Sequence, residues 1–253
     1  MCGIVGVVGN SNAVDILIQG LEKLEYRGYD SAGIYVTDAP DKGCLVKSVG
    51  RIADLRAKIS SDVKGSTGIG HTRWATHGQA TEDNAHPHTS ETGRFVLVHN
   101  GVIENYLQIK EEYLQGHKFK GQTDTEIAVH LIGKFVDEDG LSVLEALKKS
   151  LHIIQGSYAF ALVDSQAPDT IYVAKNKSPL LIGVGEGYNM VCSDAMAMIR
   201  ETSQFMEIHD KELVVLTKDA ITVTDYEGNA IERGTYTAEL DLSDIGKGTY
   251  PYY

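Results

Sequence analysis

A cysteine stands at position 2 with only Met1 before it, and a glycine-bounded apolar run, GIVGVVG, follows at once. If Met1 is removed, Cys2 carries a thiol and the chain's free α-amino group on one residue. A free α-amine titrates near ~7.7–8.0, so part of it is neutral at physiological pH and can accept the thiol proton. The thiolate can then attack an amide carbon and hold the acyl group as a thioester. The plain alternative is a small residue packed into the first strand. Cys44 and Cys192 lie in apolar, strand-like contexts and read as structural.

Acyl transfer also needs donors where the oxyanion forms. Asn100-Gly101 ends the run FVLVHNG and supplies a side-chain amide beside a permissive backbone N–H. The same dipeptide is the strongest hairpin signal, and by itself the turn is the better reading. In HTRWATHG, Arg73 has the fork geometry to clamp a carboxylate. Trp74, the only tryptophan, can cover a site or fill a core, while Thr76 and His77 offer polar contacts. Asp124 opens a helical pattern, where it suits a ligand ammonium or the ordinary charge preference of a first turn. His77, His86, His88 and His99 lack tight metal spacing, so no metal is expected. GVGEG at 183–187 opens no helix, which argues against a dinucleotide, and no cofactor is expected.

These residues need elements to hold them. GIVGVVG reads as a buried strand, and Val14, Leu17, Ile18, Leu21 and Leu24 recur at helical steps. Strands are expected around 31–36, 44–49 and 67–71, then a long polar loop over 73–93, then the strand RFVLVHNG. Loops of that length are uncommon in compact domains and usually functional. Thr123 and Glu126 have capping-box spacing ahead of Ile127, Leu131, Ile132 and Phe135, and a second helix runs from Leu141 through Leu151. From Ser157 to about Val223 the pattern is short strands, broken by a short helix near Asp194–Ile199. Strands and helices in blocks favour an α+β layered fold over a doubly wound sheet. The stretch DLSDIGKGTYPYY at 241–253 has little pattern and reads as the start of a linker.

The 253 residues suit one large domain or two small ones, and 42% hydrophobic content is enough for a sizeable core. A formal net charge of −12 argues against nucleic acid or an anionic membrane as partner. Three widely spaced cysteines offer no disulfide framework. The first apolar run is too short for a signal peptide and nothing approaches a membrane span, so the cytoplasm is the expected location.

The motifs MCGIVGVVG, EYRGYDSAGI, GHTRWATHG, HNGVIEN, TDTE and NKSPLLIG, in that order, carry more weight together than singly. They resemble the class II, N-terminal-nucleophile glutamine amidotransferases, and among these the glutaminase domain of the glutamine–fructose-6-phosphate aminotransferase family. The resemblance runs from Cys2 to about residue 240 and implies a glutaminase domain over 1–240. It also implies a four-layer α-β-β-α sandwich of the N-terminal nucleophile hydrolase type, with Cys2 at the end of a central strand.

By the same resemblance, Cys2 is the nucleophile, its α-amine the base, and Asn100 with Gly101 the oxyanion hole. Arg73 would grip the α-carboxylate of L-glutamine and Asp124 its α-ammonium. Thr76 and His77 would hold the substrate, Trp74 would ride on a covering loop, and Arg27 would support the nucleophile. The complementary pair Arg73 and Asp124 suits a zwitterion, which lifts Asp124 above its capping role. The implied reaction is hydrolysis of glutamine to glutamate and ammonia. The family's sugar-phosphate isomerase region, which would take up the ammonia, is expected as a partner, in a full-length homodimer. The alternatives are the glutaminase half of an amidophosphoribosyltransferase and a non-catalytic glutamine-binding domain.

Overall fold

The computed structural model describes residues 2–75 and 78–238. Its first part comprises β1 (Gly3–Val8), α1 (Ala13–Leu24), β2 (Ser31–Thr37), β3 (Cys44–Val49), α2 (Ile52–Lys58) and β4 (Thr67–Arg73). Then come β5 (His88–Thr89), β6 (Phe95–Ile103), α3 (Tyr106–Tyr113), α4 (Asp124–Asp137) and α5 (Val143–Ile153). The last part is mostly strand: β7 (Gly156–Asp164), β8 (Ile171–Asn176), β9 (Leu181–Val184) and β10 (Asn189–Cys192). It closes with β11 (Gln204–Glu207), β12 (Glu212–Leu216), β13 (Ile221–Asp225) and β14 (Tyr236–Thr237), with a 3-10 turn at Ala195–Ala197.

The strands form two antiparallel sheets, one ordered β14-β11-β9-β10-β1-β4-β2-β3 and the other β13-β12-β8-β7-β6-β5. Strand alternation then sorts side chains into three cores. Between the sheets lie Ile4, Val8 and Ile69 from the first and Val96, Val98, Ala161 and Val173 from the second. Val5 and Val7 face the other way and pack with Leu17 and Leu21 of α1 and Leu55 of α2. Phe95, Leu97 and Phe160 turn outward onto Leu131, Ile132 and Phe135 of α4 and Leu147 of α5. Three cores between four layers make an α-β-β-α sandwich, as expected.

Helix starts follow local chemistry. The Thr123 hydroxyl accepts from Glu126 N–H at 3.3 Å, but the Glu126 carboxylate turns to the Lys120 and Gly121 N–H groups, each at 2.8 Å. The capping box there is therefore half made. At α5 it is complete, with Ser142 and Glu145 bonded in both directions. Two helices, α2 and α3, lie where the sequence pattern showed none. Each buries only one or two side chains, too few to print a periodic stripe. Within 73–93 the chain is mostly irregular, as expected, though His88–Thr89 pairs with Val96–Leu97 as a short strand.

Candidate active site

Even-numbered residues of β1 point between the sheets, and Cys2, one residue outside the strand, continues that series at its mouth. The pairing of Gly3 with Thr72 and Ile4 with His71 sets Cys2 beside the end of β4, where Arg73 lies. His71 and Arg73 share the inner face with Ile69, and Asn100 shares the inner face of β6 with Val96 and Val98. The inter-sheet core is thus apolar along its length and chemical at one end.

Cys2 Sγ accepts from Trp74 N–H at 3.2 Å. Burial pushes the Cys2 thiol above its usual range, a shift partly opposed by that N–H and by the Arg73 charge. The sulfur therefore rests as a thiol, and attack requires a base to remove its proton. The Cys2 carbonyl accepts from Asn100 Nδ2 at 3.1 Å. An amide nitrogen carries two hydrogens, so one further donor remains on Asn100.

The orientation of that amide is set from behind. His71 Nε2 lies 2.9 Å from Asn100 Oδ1 and 3.1 Å from the His99 carbonyl. Both neighbours are acceptors, so the proton sits on Nε2 and the Asn100 nitrogen faces Cys2. His71 Nδ1 is left buried without a partner. Its ring stacks on His86 at 4.0 Å between centroids, and His86 meets His88 edge-on. His86 Nδ1 accepts from the His99 N–H, His88 Nε2 lies 2.9 Å from Thr123 Oγ1, and His99 Nδ1 lies 2.8 Å from Thr125 Oγ1. Burial drives all four imidazoles toward the neutral form, with His71 lowered to about 3.

Asn100-Gly101 is no turn, because β6 runs straight through both residues, with Gly101 opposite Tyr158. Gly101 has φ +131°, and a Cβ there would come within 2.2 Å of the Ser157 carbonyl oxygen. Only glycine leaves room for the neighbouring strand at this point. The turn expected of the dipeptide taken by itself is therefore corrected to strand.

Arg73 is buried and donates to the Gln79 carbonyl at 3.1 Å and the Gly78 carbonyl at 3.4 Å, with Asp30 at 4.0 Å. Asp30 also accepts from Ser31 Oγ and from Ala75 N–H, tying the residues just after β4 to the start of β2. Asp124 opens α4, and one of its oxygens accepts from Ile103 N–H at 2.8 Å. Trp74 is half exposed against Tyr29, so it is not core packing. Cys2, Arg73, Trp74, Gly101 and Asp124 line one small cavity of about 40 Å³. A larger surface hollow of about 550 Å³ beside Tyr35, Arg94 and Asp137 has no cysteine in its lining, so size does not mark the site.

Arg27 is not among the described lining residues; it pairs with Asp194 and donates to Tyr26 OH at 3.0 Å. Thr76 and His77 lie outside the described residues, as do Met1 and the expected linker at 241–253. Four further lining residues, His86, His99, Thr123 and Thr125, went unnoticed as site residues in the sequence. The strand alternation that places Ile69 inward would have flagged His71. GVGEG runs from the end of β9 into the turn before β10 and opens no helix. Cys192 is buried and donates to the Asp194 carbonyl.

A two-sheet sandwich with a cysteine at the mouth of a central strand and an amide held toward it fits an amidotransferase domain with a cysteine nucleophile. The model of the glutamine amidotransferase domain matches residues 49–234, and the chain belongs to that family. The whole chain is 83% identical to 42% of glutamine–fructose-6-phosphate aminotransferase [isomerizing] from Streptococcus mutans. It is 80% identical to the same share of the Streptococcus pneumoniae R6 protein of that name. The chain therefore spans less than half the length of these relatives. Glutamine phosphoribosylpyrophosphate amidotransferase from B. subtilis, complexed with ADP and GMP, superposes with a TM-score of 0.78 at 29% identity. That match covers 90% of this chain and 50% of the other. Among the described residues no helix is long and apolar enough to cross a membrane.

Proposed function

We propose that the chain hydrolyses L-glutamine to glutamate and ammonia, as the ammonia-supplying half of an isomerising aminotransferase acting on fructose 6-phosphate. The observation that carries the reading is Cys2 with the Asn100 amide held toward it and Arg73 and Asp124 in the same cavity wall. Removal of Met1 frees the Cys2 α-amine, which takes the thiol proton. The sulfur attacks the side-chain amide carbon of glutamine, and the carbonyl oxygen becomes an oxyanion facing the second Asn100 N–H and the Gly101 N–H. Collapse expels ammonia, which leaves with the proton held by the α-amine. Water then adds to the thioester carbon, and glutamate departs as the thiol re-forms.

Arg73 and Asp124 suit the α-carboxylate and α-ammonium, while Thr76 and His77 complete the grip on the substrate. The Gly78 and Gln79 carbonyls that now occupy the Arg73 donors yield them to a carboxylate. Trp74, half exposed against Tyr29 at the rim of the cavity, would cover bound glutamine. Arg27, through Asp194, braces the segment that pairs with β1 at Ser193 and Ile4. Residues 1–240 form the catalytic domain, with 241–253 leading toward the sugar-phosphate region of the longer relatives.

Identity of 83% across the chain favours this family over the amidophosphoribosyltransferases at 29%. A glutamine-binding domain without turnover has no use for an oriented nucleophile and donor pair. The test is ammonia release from glutamine by the Met1-processed chain, compared with Cys2→Ala and with a form that keeps Met1. Both altered forms are expected to be inactive while folded, and a glutamine-analogue electrophile should label only the processed wild type, on Cys2. Ammonia release that survives Cys2→Ala would sink the proposal.

A further inference from the structure

Away from the catalytic cavity, three segments distant in sequence bring Lewis bases to one point. Glu91 follows β5, His117 follows α3, and His130 lies on α4. One ligand atom from each lies within 4.8 Å of the others. His117 Nδ1 is 3.2 Å from His130 Nδ1 and 2.9 Å from Glu91 Oε2. Ligands about 2.0–2.2 Å from a tetrahedral zinc stand roughly 3.3 Å apart, so the bases are already near metal-binding separation.

His117 Nε2 lies 3.0 Å from Glu138 Oε1, which takes a proton on that nitrogen. On the inner side, the two Nδ1 atoms and a carboxylate oxygen surround room for one proton at most. A divalent cation there would satisfy all three. Metal-bound histidines are typically oriented by a carboxylate behind the ring, and His117 has one within hydrogen-bond distance. Glu138 stands behind His117, and Glu126 Oε1 lies 3.9 Å from His130 Nε2. Glu91 is anchored through its other oxygen by the Lys118 N–H at 3.2 Å. Its side chain is 38% exposed, which leaves an entry path and an open position for water.

We infer that Glu91, His117 and His130 form a binding site for a divalent d-block ion, zinc being the best match to two imidazoles and a carboxylate. The hard, all-oxygen preferences of calcium and magnesium do not fit this set. The ion would tie the turns at residues 91 and 117 to the middle of α4. His130 is six residues from Asp124, about 9 Å along the helix, so the role is to brace the helix that presents Asp124.

The test is titration of metal-stripped protein with zinc chloride by calorimetry and with cobalt(II) by visible absorption. Wild type should take up one tight equivalent and raise its thermal midpoint. Cobalt should give a four-coordinate d–d spectrum without a thiolate charge-transfer band. His117→Asn and Glu91→Gln, both at partly accessible positions, should lose that equivalent, with affinity down at least 10-fold. His152→Asn, on the exposed surface, should keep it. Absence of a tight equivalent, or its survival in both His117→Asn and Glu91→Gln, would overturn the inference and leave a hydrogen-bonded histidine pair.

Discussion

At the scale of single residues, the site depends on how one amide is turned. Asn100 can present either its nitrogen or its oxygen to Cys2, and His71 decides which by donating to Oδ1. Removing an oxyanion donor typically lowers kcat by about 10²–10³-fold, so Asn100→Ala should fall in that range with little change in KM. His71→Leu should lower kcat by a smaller factor, because the amide is then free to rotate while its nitrogen is still present. The double variant separates positioning from general damage. If His71 acts through Asn100, adding His71→Leu to Asn100→Ala costs nothing more in kcat, whereas independent effects would multiply. Multiplying losses would reject the positioning role.

At the scale of elements, the question is what holds strand and helix ends around the cavity. Gly101→Ala places a Cβ against the Ser157 carbonyl at a backbone angle that disfavours side chains, a cost of about 1–3 kcal/mol. A lowered thermal midpoint together with reduced kcat is expected, and an unchanged midpoint would mean that β6 and β7 can part without penalty. Thr123→Val removes the cap of α4 and the contact to His88. About 1 kcal/mol of stability should go, with a raised KM because Asp124 begins that helix; a KM equal to wild type would detach Asp124 from substrate binding. These two positions also show what the sequence made legible. The apolar stripes of α1, α4 and α5 and the Thr123 cap of α4 could be read directly. The fate of Asn100-Gly101 could not, since a dipeptide that suits a tight turn also suits a strand crowded by its neighbour. The short α2 and α3 bury too little to leave a pattern. His86 and His88 sit in a polar stretch whose burial comes from docking at the end of the sandwich. The convergence of residues 91, 117 and 130 is likewise a product of the fold, with no local spacing to announce it.

At the scale of the whole molecule, the buried histidines couple the site to the stability of both sheets. His71 belongs to β4 in one sheet and His99 to β6 in the other, and His86 and His88 lie on the segment packed against them. All four are held neutral by burial, and unfolding would release them to water. A histidine whose folded pKa lies below its unfolded value binds protons more readily once unfolded. Its contribution is complete above the unfolded value of 6.5 and drains as pH falls toward the folded value, about 3 for His71. Each unit of displacement corresponds to ~1.4 kcal/mol, so by pH ~4 His71 alone should cost on the order of a few kcal/mol. The thermal midpoint is therefore expected to fall steadily once pH drops below the unfolded histidine value, before carboxylate protonation contributes much. His71→Leu and His86→Leu should flatten that slope even where they lower the midpoint at neutral pH. A midpoint that stays level until the carboxylates titrate, or an unchanged slope in both variants, would show that the cluster opens to water without unfolding the sandwich.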